Sequence, residues 1–300
     1  MQISGQTLQL SASDLVGHIN CRYLTQLDLK VARGSLPKPI YYDPTLEVLI
    51  ERGRRHEQGC LGHLRSQGRK VVAIEGVGVD AGSVSATLAA MNDGAFAIAQ
   101  AALRSGQWSG RADVLLRVER PSKLGAWSYE IVDAKLAQET KGGTLLQLSL
   151  YADLLATVQG TPPEMVYVVT PETAYEPQAF RVAEFAAYYR WVRRRLEEAL
   201  TKGDAGCLYP EPTPYCDICR WRQECDGKRR ADDHLSLVAG ITKIQMGELG
   251  RRSIATADAL TSVTLPLAWK PERGVAASYV RVREQARLPG RGSNEGPPPL

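Results

Sequence analysis

The sequence lacks most of the features that would assign it quickly to a class. No stretch approaches the roughly 20 apolar residues a membrane span requires. The opening residues, MQISGQTLQL, have no basic segment followed by an apolar one, so no secretory leader is expected there. Neither sign of charge dominates: 37 basic against 33 acidic residues leave a formal net charge of +4, too little by itself to argue for a polyanionic partner. There is no internal repeat. What remains, 300 residues at 44% apolar and 23% charged, is ordinary for a globular protein of one large or two modest domains. The expected location is the cytoplasm, where the six cysteines are not expected to form disulfides.

Periodicity supplies the elements. Ser13-Asp14 reads as a helix start, with Leu15, Ile19, Tyr23, Leu24 and Leu27 recurring at helical spacing until Gly34; Cys21 falls inside this run. A second helix, from about Pro44 to Ser66, carries Arg52-Gly53-Arg54-Arg55-His56-Glu57. Val71 to Ile74 reads as a strand, and the Ala-rich stretch from Ser83 to Leu103 as one helix. Ala112 to Val118 and Trp127 to Lys135, separated by Pro121 and Gly125, predict an antiparallel hairpin. A helix from Thr144 to Val158, a buried strand at Val166 to Val169, an edge strand at Phe180-Arg181-Val182 and a helix from Glu184 to Lys202 follow. The order predicts an α/β fold around a mixed central sheet. Beyond it, residues from about His234 to Val263 read as short helices, and the Gly/Pro-rich end GRGSNEGPPPL as disordered. Basic residues cluster at Arg190, Arg193, Arg194 and Arg195, and again at Arg220, Arg222, Lys228, Arg229 and Arg230.

The hairpin carries the chemistry. Gly110-Arg111-Ala112-Asp113 opens one strand, and Asp133-Ala134-Lys135 ends the other. Residues two apart on a strand share a face, so Asp133 and Lys135 project together, and Asp113 on the partner strand can lie beside them. Converging carboxylates suit a hard cation such as Mg2+, which prefers oxygen ligands. An adjacent lysine can orient a water and offset developing charge. A bare D-x-K is uninformative, since about one is expected by chance in a chain of this length. The following helix adds Gln147 and Tyr151, four apart on one face amid leucines, and His56 is a further candidate ligand or phosphate contact.

Cys216, Cys219 and Cys225 form C-x2-C-x5-C after the loop containing Pro210, Pro212 and Pro214. Grouped thiolates of this kind point to a metal or cluster. The residues leave the fourth ligand open between nearby Cys207 and distant Cys21, and four thiolates could hold zinc. Cys60 is expected to be packed rather than ligating.

The ordered set His56, Gly110-x-x-Asp113, Asp133-x-Lys135 and Gln147-x-x-x-Tyr151 resembles the RecB-like branch of the PD-(D/E)XK nucleases, which includes the AddB nuclease domain and the CRISPR-associated RecB-type exonucleases. The resemblance spans roughly residues 10 to 230. It implies a restriction-endonuclease-like sheet flanked by helices. It also implies Mg2+ or Mn2+ held by Asp113, Asp133, His56 and the Ala134 carbonyl, with Lys135 positioning the attacking water and Gln147 and Tyr151 supporting the site or the DNA strand. This chain has Asp133 where Glu is commoner. The iron–sulfur members pair one N-terminal cysteine with a C-terminal trio, which implies a [4Fe–4S] cluster on Cys21, Cys216, Cys219 and Cys225. Such a staple would remove the closure entropy of a long loop. The expected organisation is a nuclease domain over 1–230, a helical subdomain over 231–285 and a tail over 286–300. In the helical part, Ile241 to Val263 looks like a degenerate helix-hairpin-helix, best matched at Leu249 to Leu260. The expected function is a metal-dependent nuclease acting on single-stranded DNA or DNA ends, in repair, recombination or defence, working with a separate helicase. The alternatives are a non-catalytic nucleic-acid-binding module and a zinc- or cluster-stabilised scaffold of a helicase–nuclease complex.

Overall fold

The computed structural model describes residues 1–40, 44–137, 140–202 and 208–288. Cys207 and most of the expected tail, 289–300, lie outside the described residues. The chain divides into two compact units, Met1–Cys207 and Leu208–Leu300, so the cysteine trio belongs to the second.

The first unit opens with a two-stranded antiparallel hairpin, β1 (Gln2–Ser4) and β2 (Thr7–Gln9), followed by α1 (Ala12–Asn20) and α2 (Arg22–Ala32). These two helices replace the single helix expected from Ser13 to Gly34. Cys21 is extended at φ −158°, ψ 110°, so it ends α1 and caps α2, its sulfur accepting from the Leu24 amide at 3.4 Å. The apolar spacing that suggested one helix survives because both helices bury their leucines, Leu15 in α1 and Leu24, Leu27 and Leu29 in α2. Then come α3 (Pro44–Ser66), β3 (Val71–Ala73) and α4 (Ala81–Asn92), capped by the Asp80 side chain on the Ser83 amide.

Here the Ala-rich stretch departs from expectation. Gly94, at φ +67°, ends α4, and residues 97–105 form β4 (Ala97–Ser105). Alanine favours helix intrinsically, yet this segment is paired on both sides, between β3 and β5, where small buried side chains fit and tertiary packing overrides propensity. The unit continues with β5 (Trp108–Val118), β6 (Ser128–Ala134), α5 (Gly142–Gln159), β7 (Met165–Val169), β8 (Gln178–Arg181) and α6 (Val182–Lys202).

Six strands pair in sequence order, β3 to β8, with β3 parallel to β4, β6 parallel to β7 and the other neighbours antiparallel. The expected β5–β6 hairpin and the β8 edge strand are both present. Leucines surround α5 on all sides because it packs between the sheet and its neighbours α1 and α6. The opposite face of the sheet is covered by α3 through Cys60, against Ala97, Val114, Val132 and Val169.

One irregularity positions the site. Ile98 and Ala101, three apart on β4, both join the α5-side core, as do Ala112 and Leu115 on β5. Strict alternation would place each pair on opposite faces. Gln100 adopts φ +56°, and the register on either side of it, Ala99 to Val114 and Ala101 to Ala112, leaves Gln100 facing Asp113. Two neighbouring strands thus change phase together at the level of Asp113.

The second unit contains α7 (Arg222–Ala231), α8 (Lys243–Arg251), α9 (Ala257–Thr261) and α10 (Ala276–Arg287) around their own core of Leu235, Leu249, Leu260, Tyr279 and Val282. Glu248, fully buried there, accepts from Tyr279 Oη at 2.6 Å and the Glu272 amide at 3.1 Å. The stretch expected to form a helical hairpin, Ile241 to Val263, spans α8, a turn and α9. Several of its turn amides are already bound within the unit: Ser253 to Gly250, Ile254 to Leu249, Ala257 to Asp233 and Asp258 to the Asp233 carboxylate. No helix among the described residues is long and apolar enough to cross a membrane.

Candidate active site

Continuing the β5–β6 register beyond Val114 and Val132 sets Asp113 opposite Asp133. Asp113 lies near enough for its charge to act on the Asp133 carboxyl. The Asp113 carboxylate is fixed by the Ala134 amide, which donates to Oδ2 at 2.9 Å. Asp133 has no solvent exposure. Its Oδ2 lies 2.8 Å from Lys135 Nζ as an ion pair without hydrogen-bond alignment, and it has no other partner. Burial, and then the charge of Asp113, push the Asp133 carboxyl up to about 7, with Lys135 pulling the other way. Two neighbouring acids, with one buried oxygen met only by Lys135, form an arrangement that favours a cation.

The Gly110-x-x-Asp113 spacing has a steric cause. A Cβ on Gly110 would lie 2.3 Å from Tyr151 Cε1, so only glycine lets Tyr151 pack across the start of this strand. Tyr151 Oη accepts from Gln147 Nε2 at 3.2 Å, and the same nitrogen lies 3.4 Å from Asp133 Oδ1. Gln147 and Tyr151 therefore reach the buried aspartate from α5, one helical turn apart. Burial, together with the nearby aspartates, pushes the Tyr151 hydroxyl well above its ordinary range, so it stays protonated.

His56 and Glu57 come from α3. His56 Nε2 meets the Val169 carbonyl at 3.0 Å, and its ring faces Tyr175, which also faces His63, with centroids 6.0 and 5.4 Å apart. The imidazole is thus fixed against β7 rather than joined to the carboxylate pair. Glu57, which pattern reading passed over, is the group that senses the site. Burial and then Asp113 raise its pKa, while Lys135 and Arg111 lower it. Its Oε1 accepts from Gln100, whose own carbonyl oxygen accepts from Arg111 Nε at 3.0 Å. Arg111 is anchored in turn on the Gly78 carbonyl at 2.8 Å. A chain Arg111–Gln100–Glu57 therefore runs behind Asp113. Its signals in the sequence were Glu57 beside His56, Arg111 inside the Gly110-x-x-Asp113 segment, and one amide in the otherwise apolar stretch Ala97 to Leu103.

In the second unit, Cys216 lies in a short 3-10 turn (Pro214–Ile218), Cys219 follows it and Cys225 is on α7. The Thr213 amide points at Cys216 Sγ from 3.4 Å. Cys60 is buried, and Cys21, Cys216, Cys219 and Cys225 are partly exposed. Among the described residues, no three His, Cys, Asp or Glu side chains are placed so that they could hold one metal ion. The carboxylates form a pair and the cysteines are not drawn to one point.

Two acidic strands with a lysine two residues beyond the second aspartate, in a mixed sheet between helices, define the class. The sequence model of the PD-(D/E)XK nuclease superfamily matches residues 22–226, more than half the chain, and the protein belongs to that superfamily. Among the curated proteins, none matches. Among solved structures, the crystal structure of SSO0001 is similar at 14% identity and a TM-score of 0.35, covering 74% of this chain and 88% of that one.

Proposed function

We infer that the protein is a divalent-cation-dependent nuclease whose reaction centre is Asp113, Asp133 and Lys135. The observation that carries this is the buried Asp133 carboxylate with one oxygen met only by Lys135 and the other acid packed against it. The donor set fits Mg2+ or Mn2+. Two carboxylates and the Ala134 carbonyl are hard oxygen ligands, few enough to leave positions for water and phosphate. Such an ion supplies charge neutralisation at the phosphoryl group and makes water acidic enough to attack.

The chain's own residues do the rest. Lys135, with its side chain 31% exposed, can reach both the Asp133 carboxylate and a solvent-side nucleophile, holding a water by donation and offsetting charge on the phosphoryl oxygens. The Ala134 amide fixes the rotamer of Asp113, and Gln147 that of Asp133, so neither carboxylate must be ordered when a cation arrives. Tyr151, held protonated, remains a hydrogen-bond donor near the site. His56 is proposed as a further ligand that would have to leave the Val169 carbonyl to serve.

The substrate proposed is DNA, as single strands or ends. The cysteines Cys21, Cys216, Cys219 and Cys225 are proposed to hold a [4Fe–4S] cluster, with zinc as the competing occupant. Their thiolate chemistry fits either, and Cys21 stands at the N-cap of α2. The separate helicase has no supporting feature among the described residues and is not part of the proposal.

The test is cleavage of end-labelled and circular single-stranded DNA with Mg2+ or Mn2+ after anaerobic purification, with iron, sulfide and zinc measured on the same sample. Asp113→Ala should abolish cleavage. Undiminished activity in that variant would end the assignment, and a colourless, zinc-loaded, iron-free protein would replace the cluster with zinc.

A further inference from the structure

The basic run on α6 is not one surface. Arg193 is occupied, paired with Asp153 and with Glu197. Arg190, Arg194 and Arg195 form no ion pair among the described residues. Next to the buried stripe of Tyr189, Val192 and Leu196 lie Tyr188 and Trp191, with 51% and 52% of their surface exposed. Two large aromatic residues half in water on a single helix turn is a costly way to cover a core, and neither is needed to complete it. They are ordered against each other, their rings 5.9 Å apart and 23° from parallel, and the Arg195 guanidinium lies 5.6 Å over the Trp191 ring. Positions three and four apart on a helix adjoin, so Trp191 is flanked by Tyr188 on one side and by Arg194 and Arg195 on the other. Glu184 and Glu198 stand one turn beyond at either end, which confines the cationic part to the centre.

We propose that Tyr188, Trp191, Arg194 and Arg195 form an accessory docking stripe for single-stranded nucleic acid, outside the reaction centre. The inference rests on the nuclease reading for the identity of the polymer. Flat, near-parallel, half-exposed rings offer stacking to unpaired bases, while the Arg194 and Arg195 guanidiniums, neither in an ion pair among the described residues, complement the phosphates linking those bases. The stripe is about two nucleotides long. A duplex, whose bases already stack on one another, cannot use it. Stacking on such rings tolerates any sequence, so the stripe adds residence of the strand without base preference.

The test uses the full-length protein in EDTA, so that binding is read without cleavage, with a fluorescein-labelled 20-mer of dT and a duplex of equal length. Tyr188→Ala/Trp191→Ala and Arg194→Ala/Arg195→Ala should each weaken single-strand binding about fivefold or more and leave duplex binding unchanged. Trp191→Phe should keep most of the affinity, and the arginine pair should flatten the salt dependence. With Mg2+ restored, the aromatic variant should raise KM on long strands and leave cleavage of a four-nucleotide substrate unaltered. Unchanged single-strand affinity in the aromatic variant overturns the proposal. Loss of self-association in its place also overturns it and assigns the face to a second copy of the chain. A protein that binds strands through the stripe yet cleaves nothing would sink the nuclease reading and leave the stripe standing.

Discussion

The carboxylate pair and the cysteine trio invite comparison, because each is a set of ligands read from a short motif and the structure treats them differently. The carboxylates are held by the fold itself. Asp113 is tied to the Ala134 amide, Asp133 is buried and reached by Gln147, and the β5–β6 register aligns them. The cysteines sit on short elements: Cys216 rests in a short 3-10 turn, Cys225 is on α7, and Cys216, Cys219 and Cys225 are all partly exposed. The difference follows from chemistry. A hard cation binds weakly to two carboxylates, so the protein must preorganise them. Thiolates bind iron or zinc strongly enough that the metal can organise the chain.

The sharpest way to break this comparison is at Lys135. Lys135→Ala should reduce cleavage by about a thousandfold, leaving circular dichroism and iron content unaltered, since the lysine is on the surface side of the pair. Asp133→Asn should be as inactive yet no less stable without metal, because it removes a buried charge that lacks full compensation. Thermal melts in EDTA would show this.

Next in size is removal of the group proposed to sit on the cysteines. Cys219→Ser should lose iron and sulfide and lower the melting temperature by several degrees, an effect of about 2 kcal/mol. Mn2+ affinity at the carboxylates should be untouched. Equal melting temperatures and a retained visible absorbance would show that Cys219 holds nothing.

Smaller again is Gly110→Ala. Its new methyl group would displace the Tyr151 ring, costing about 1–3 kcal/mol and loosening the hold on Asp133. Denaturant melts and the metal affinity of the variant measure the two consequences separately.

The mildest effect is acid sensitivity. Burial, and then the charges of Arg22 and Arg195, lower the pKa of His18 from 6.5 to about 4, and its Nδ1 pairs with Thr25 at 3.0 Å. The unfolded chain therefore binds the proton first. The stabilisation is complete above pH 6.5 and is lost as pH falls through 4, amounting to about 2 kcal/mol or less. His18 lies in α1 three residues before Cys21, so acid should loosen the arm that presents that thiol. His18→Gln should flatten the pH dependence of the melting temperature between those values. An unchanged slope would assign it to other groups.

How far the sequence could be read depended on whether one local signal dominated. The α3 limits, the β5–β6 hairpin, α5 and the strand at Val166 followed from periodicity alone. The Asp113–Asp133–Lys135 convergence followed because strand alternation holds on β6, where Tyr129, Ile131 and Asp133 share a face. Alternation failed on β4 and β5, where the phase change at Gln100 and Asp113 leaves no trace in composition. The Ala-rich β4 looked helical because nothing local reveals that a segment will be buried between two strands of a sheet. Cys21 seemed to sit within a helix because the apolar spacing runs unbroken across the break between α1 and α2. Glu57 was missed because its partners, Gln100 and Arg111, come from strands 43 and 54 residues away (100 − 57 and 111 − 57), a proximity only the folded chain creates.

Cleavage in the proposed reaction depends most on a cation seated between Asp113 and Asp133. Titrating Mn2+ into the metal-free protein and into Asp113→Asn/Asp133→Asn, with strand cleavage followed in the same samples, tests it directly. The prediction is saturable Mn2+ binding at this site in the native chain, cleavage rising in step with occupancy, and neither in the double variant. Cleavage without divalent metal, or Mn2+ binding and cleavage undiminished in the double variant, would contradict it.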